Sequence, residues 1–240
     1  MFDHVTIRVA DRQTSEPFYG LVLGRLGHGE SRSEEAYAEW GDFSLAQADA
    51  ANPPTQRLHV GFGAGSRAEV EAFWAAAVDA GYCSDGEPGA RPQYRDDYYG
   101  AFVLDPDGNS VEAVHHGALR TEGAIDHLWL RVRELDAATR FYETIADYAD
   151  LRLRDVGSRT FVAGRQGSFS LVAGEPTKHV HLAFPATRNA VVDAFWAAAT
   201  SAGYRDNGRP GERAQYHPGY YGAFVLDADG NNVEVVCHNR

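Results

Sequence analysis

The chain has 240 residues, of which 44% are hydrophobic and 12% aromatic, and a formal net charge of −12. Those are globular values with enough length for two ordinary cores. An acidic chain without a basic stripe argues against nucleic acid or an anionic membrane as partner, and apolar runs this short do not span a bilayer. The acidity is uneven: residues 1–120 hold 9 Lys and Arg against 19 Asp and Glu, and residues 121–240 hold 13 against 15. Cys83 and Cys237 make no disulfide framework, and no signal-peptide pattern opens the chain, so a cytoplasmic location is expected.

In chain order, Val5, Ile7 and Val9 alternate with His4, Thr6 and Arg8, which predicts a strand. A helix is expected over residues 14–23, carrying Phe18, Leu21 and Val22 inward, followed by short strands over 36–40 and 43–46. Asn52-Pro53-Pro54 breaks the chain. A strand at 57–62 restarts the pattern. Ser66-Arg67-Ala68-Glu69 reads as a capping box, and the helix behind it aligns Val70, Phe73, Trp74, Ala77 and Val78, with Trp74 read as core. Strands at 101–104 and 110–114 form a hairpin across Asp105-Pro106-Asp107-Gly108-Asn109. The order then recurs. Asp136 is expected to cap a helix that turns Ala138, Phe141, Tyr142 and Ile145 inward. Val192, Phe195, Trp196 and Ala199 mark the next helix, and Asp227-Ala228-Asp229-Gly230-Asn231 is the matching turn.

The recurrence is a duplication. Phe2-Asp3-His4 returns as Ile125-Asp126-His127, Leu58-His59-Val60-Gly61-Phe62 as Val180-His181-Leu182-Ala183-Phe184, and Asn109-Ser110-Val111-Glu112 as Asn231-Asn232-Val233-Glu234. The implied domains are residues 1–117 and 124–240, joined by a linker at 118–123. Each domain repeats strand, helix, then more strands twice over. Candidate metal ligands are His4, His59 and Glu112 in the first copy and His127, His181 and Glu234 in the second. In every one of the six strands the candidate ligand sits on the less apolar parity, opposite the positions that pack under helices. Two imidazoles and one carboxylate are a facial set for a divalent ion (Fe, Mn, Zn or Ni), with coordination positions left for substrate. Two groupings are open: His4 with His59 and Glu112, or His4 with His181 and Glu234 while His127 joins His59 and Glu112.

The βαβββ–βαβββ order, the Asp-His openings and the Asp-Pro-Asp-Gly-Asn-x-x-Glu ending resemble the vicinal oxygen chelate superfamily, which includes glyoxalases, bleomycin-resistance proteins and extradiol dioxygenases. The resemblance covers nearly the whole chain. It implies an α+β fold of two tandem domains, each of two βαβββ modules with curved mixed sheets and helices outside. It also implies ligand roles for the same six residues. Glyoxalase I usually supplies a fourth ligand, and the matching positions here are Ser44 and Ser170. The tyrosine that extradiol dioxygenases carry ten residues before the Glu is Phe102 or Phe224. His217 lies upstream of Glu234 and could imitate a dioxygenase acid/base, but the first copy has Arg95 there.

Tyr94, Tyr98 and Tyr99 match Tyr216, Tyr220 and Tyr221 in loops rich in Gly, Pro and Arg. They either wall a substrate pocket, with Tyr98 and Tyr220 in contact with substrate and Tyr99 and Tyr221 near the chemistry, or anchor a packed loop. Arg8 and Arg131 share a strand face with a ligand histidine and pair either with an anionic substrate or with acidic neighbours. His116 and His238 lie beyond their strands and read as rim or loop residues. The leading expectation is a divalent-metal-dependent enzyme acting on a small molecule chelated through two oxygens; a homodimer is compatible with it. The alternative is a metal-independent protein that sequesters an antibiotic.

Overall fold

In a computed structural model, residues 1–34, 36–120 and 122–239 are described; Thr121, within the expected linker, lies outside them. The chain divides into two compact units, one of Thr6–Trp129 and one of Met1–Val5 with Leu130–Arg240. Two strands, β1 (His4–Val9) and β9 (Ile125–Val132), pass from one unit into the other.

The unit Thr6–Trp129 takes α1 (Arg12–Gly24), β2 (Arg32–Ser33), β3 (Tyr37–Trp40) and β4 (Phe43–Gln47) after the body of β1. It then repeats the pattern with β5 (His59–Gly63), α2 (Arg67–Asp79), β6 (Ser84–Ala90), β7 (Tyr99–Leu104) and β8 (Ser110–His115). The strand order β6-β7-β8-β5 continues to the first residues of β9. The β5–β8 pair is parallel and the other pairs antiparallel. Strand β1 buries Val5, Ile7 and Val9, as its alternation dictates. Asp11 accepts from Gln13 N and caps α1, which begins at Arg12, two residues before its expected start. Ser66 accepts from Glu69 N while Glu69 accepts from Gly65 N, so two otherwise unpaired donors at the start of α2 are satisfied. Phe18, Tyr19, Phe43, Phe62 and Phe73 are fully buried, and the Phe43 and Phe62 rings meet edge to face at 5.1 Å. Each such ring contributes about 1.5–3 kcal/mol by leaving water. Trp74, expected in the core, is only half-buried; its indole N–H donates to Ser84 Oγ on β6.

The other unit follows the same plan with α3 (Leu135–Ala149), β10 (Arg152–Asp155), β11 (Arg159–Ala163), β12 (Ser168–Ala173), β13 (His181–Pro185), α4 (Asn189–Ser201), β14 (Asp206–Glu212), β15 (Tyr221–Leu226) and β16 (Asn232–Cys237). Its strand order β14-β15-β16-β13 is met by the N-terminal residues, with Asp3 N donating to Ala183 O. Phe2 packs against Phe169 and Phe184 at 6.2 and 5.8 Å. Asp136 does not cap α3; Glu134 holds the cap position and Asp136 lies in the first turn, where its charge still suits the helix dipole. The α+β plan of four βαβββ modules read from the sequence is the plan the chain adopts.

Candidate metal centres

Among the described residues, each unit gathers one set of two histidines and one glutamate. In the unit Thr6–Trp129 the donors are His59, Glu112 and His127; in the other they are His4, His181 and Glu234. Within each set the ligating atoms all lie within 4.8 Å of one another. Of the two groupings open to the sequence, the chain adopts the one that joins the opening histidine of each copy to the His and Glu of the other.

Strand pairing explains the convergence. Gly61 of β5 stands opposite both Glu112 of β8 and His127 of β9 in register. Gly61 has no Cβ, and the space it leaves is filled by the His127 ring: an added Cβ would lie 2.7 Å from Nδ1. In this set His59 Nε2 lies 3.0 Å from Glu112 Oε2 and 3.4 Å from His127 Nε2, and His127 Nε2 lies 3.3 Å from Glu112 Oε2. In the other set His181 Nε2 is 2.9 Å and His4 Nε2 3.7 Å from Glu234 Oε2.

The outward-facing atoms of these ligands are held by other residues. Tyr98 OH donates to Glu112 Oε1 at 2.7 Å, and Tyr220 OH to Glu234 Oε1 at 2.6 Å, so each carboxylate turns its Oε2 to the histidines. His127 Nδ1 donates to Asp126 at 2.9 Å, and His4 Nδ1 to Asp3 at 2.9 Å. Each aspartate accepts a second imidazole, from His116 at 3.3 Å and from His238 at 2.7 Å. His116 and His238, in the loops that follow β8 and β16, thus sit behind the candidate ligand histidines. Tying Nδ1 to a carboxylate keeps a hydrogen on that nitrogen and leaves Nε2 as the atom that would ligate an ion in place of the hydrogen it gives the glutamate.

Electrostatics follow from burial and these bonds. Burial alone would raise Glu112, but hydrogen bonds from His127 and His59 outweigh it and hold the carboxyl down at about 2. Burial opposes charge on His127, yet Asp126 and Glu112 push it up to about 10. Burial and the adjacent glutamates raise both Tyr98 and Tyr220 far above the usual phenol range, so both stay neutral donors. The buried carboxylate calls for a positive partner, and a bound cation would meet that need as a proton on His127 does.

The remaining expected site residues are placed elsewhere. Tyr99 and Tyr221 donate to Glu71 on α2 and Asp193 on α4, on the helix side of their strands. Arg8 donates to Gln47 O, and the exposed Arg131 packs its stem near Gly174. His217 Nε2 lies 2.8 Å from His238 Nδ1, which links it to Asp3 and His4; Arg95, its counterpart, pairs with Asp97. Ser44 and Ser170 bond Thr6 and Arg159. The alternation of strand faces could have separated inward Tyr98 from Tyr99. The aspartate before each opening histidine was visible only as part of a motif.

Residues 1–113 match the family model described as Glyoxalase/Bleomycin resistance protein/Dioxygenase superfamily. The fold is similar to that of glyoxalase I from Zea mays, with a TM-score of 0.72 at 19% identity, covering 99% of this chain and 92% of that one. It is also similar to a putative dioxygenase from Bacillus subtilis subsp. subtilis, with a TM-score of 0.67 at 14% identity, covering 100% and 85%. No curated protein matches the chain. The match to the Glyoxalase/Bleomycin resistance protein/Dioxygenase superfamily thus covers residues 1–113, and the rest of the chain repeats the same modules in the same order.

Proposed function

We propose that each His/His/Glu set binds one divalent metal ion, and that the protein is a metal-dependent enzyme acting on a small oxygenated molecule that offers two neighbouring oxygens. The observation that carries this reading is the donor geometry. Neighbouring ligand atoms around an ion with bonds of about 2.1 Å stand about 3.0–3.4 Å apart, and the His59, Glu112 and His127 atoms are separated by 3.0, 3.3 and 3.4 Å. Two neutral imidazoles and a carboxylate suit Fe, Mn, Zn or Ni. The bound ion would supply Lewis acidity toward a substrate oxygen.

The protein's own groups do the rest. Tyr98 and Tyr220 keep each glutamate turned toward the ion through one oxygen. Asp126 and Asp3 hold the opening histidines in the ligating tautomer. Phe102 and Trp129 stand 5.8 and 6.3 Å from His59, ring to ring, and Phe224 stands 6.0 Å from His181; these rings give the substrate an apolar wall. Metal analysis of the purified protein, after growth with each candidate metal, tests the reading. Two ions per chain are expected, falling to one in His181→Ala or Glu234→Ala; no bound metal under any condition would overturn it.

A second reading, capture of an aromatic drug without chemistry, is favoured by Tyr94 and Tyr216, which are 44% and 55% exposed. Tight drug binding that survives chelator and the ligand-to-alanine changes would select it.

A further inference from the structure

The two metal centres have matching ligands but different residues behind one of them. His59 Nδ1 lies 3.2 Å from Ser110 Oγ, and Ser110 donates its single proton to Asp85 Oδ2 at 2.7 Å. That hydroxyl is left only as an acceptor toward His59, so Nδ1 carries the hydrogen, and Nε2 would offer its lone pair to an ion bound in place of the hydrogen it gives Glu112. The carboxylate is relayed through one hydroxyl to the ring, making His59 a more basic ligand. The equivalent positions in the other unit are Asn232 and Asn207, whose amides bond each other at 2.9 Å and carry no charge.

Two further differences act in the same direction. His59 and His127 side chains are 16% and 11% exposed, against 22% and 23% for His4 and His181, so water competes less around the first set. The opening histidine also stands closer to its glutamate, 3.3 Å against 3.7 Å. The residue under His127 is Gly61, and the corresponding residue is Ala183. The first set therefore has less rearrangement to make when it closes on an ion.

The geometry points to two inequivalent centres: His59, Glu112 and His127 form the tighter and more slowly exchanging site, and Asp85 and Ser110 are the positioning residues that make it so. The centre of His4, His181 and Glu234 is the weaker one and exchanges its metal first. This rests on the metal reading above.

The test is a titration of metal-stripped full-length protein with Zn²⁺ in competition with a colorimetric chelator. Two binding classes at least about 10-fold apart are expected, the scale on which such supporting residues act. His59→Ala should remove the tight class and His181→Ala the weak one. Asp85→Asn should weaken the tight class about 10-fold and leave the weak class unchanged. The double change Asn232→Ser with Asn207→Asp installs the relay in the other unit and should tighten the weak class. Two indistinguishable classes, a tight class removed by His181→Ala, or no response to Asp85→Asn and to the installed relay would each overturn the inference while the metal reading stands. No zinc binding at all would overturn both.

Discussion

Tyr19 and Tyr142 occupy the same place in the two halves and meet different chemistry. Both are fully buried. Tyr19 OH donates to Asp105 Oδ2 at 2.8 Å, whereas Tyr142 OH has no hydrogen-bond partner among the described residues. Removing a donor from a buried carboxylate costs about 1–3 kcal/mol, while removing an unpaired hydroxyl costs little. Tyr19→Phe should therefore lower the unfolding free energy by about that amount, and Tyr142→Phe should leave it unchanged or raise it slightly, as read by urea denaturation. The aspartate of the second turn shows the same contrast. Burial pushes Asp227 up to about 6 against the hydrogen bonds from Asn231 and Asp229. An unfolded aspartate titrates near 4, at about 3.9. Between about pH 4 and pH 6 the folded chain holds a proton that the unfolded chain has lost, so this contribution is full below pH 4 and fades as pH rises through 6. The stability difference between the native protein and Asp227→Asn should shrink from pH 4 to pH 7 in denaturation curves; a difference that grows over that range would show that burial does not dominate this carboxyl.

At the scale of elements, strand β5 is shaped by its middle residue. An added methyl at Gly61 cannot coexist with the His127 ring where it stands, yet Val60 and Phe62 would still anchor the strand. Gly61→Ala should displace His127 and cut bound metal toward one ion per chain, with the far-ultraviolet circular dichroism unchanged; retention of both ions would show that the ring has room to move. The elements themselves were legible where their cause is local. Alternation in β1, the Ser66–Glu69 box and the Asp105–Asn109 turn each follow from a few adjacent residues, and each stands where expected. Strands β6 and β14 were missed because Gly86, Pro88 and Gly89, with Gly208, Pro210 and Gly211, read as loop. They are edge strands paired on one side, with register shifts at the glycines, and there a proline forfeits no ladder bond. The six candidate ligands were legible from repetition and parity. Their grouping was not, because both groupings put the same side chains on the same strand faces. Ser110 and Asp85 were not legible either, since neither residue type signals a role until the fold brings it behind His59.

At the scale of the whole molecule, the course of the chain ties the second centre to its first five residues. Met1–Val5 belong to the unit of Leu130–Arg240, and His4 is the candidate ligand they bring. Phe2 comes with it, 6% exposed and set between Phe169 and Phe184. Deleting residues 1–5 should therefore act far away in sequence. It should empty the centre of His181 and Glu234 and leave that of His59, Glu112 and His127 loaded, so that the chain holds one ion instead of two. It should also lower the melting temperature, because losing a buried Phe removes about 1.5–3 kcal/mol. His4→Ala with Phe2 retained separates the two effects: the metal count should fall by the same one ion, with a smaller loss of thermal stability. If the deleted chain still bound two ions, His4 would not be a ligand; if His59→Ala emptied the same centre as the deletion, the N-terminal strand would be serving the other half and the grouping of ligands described above would be reversed.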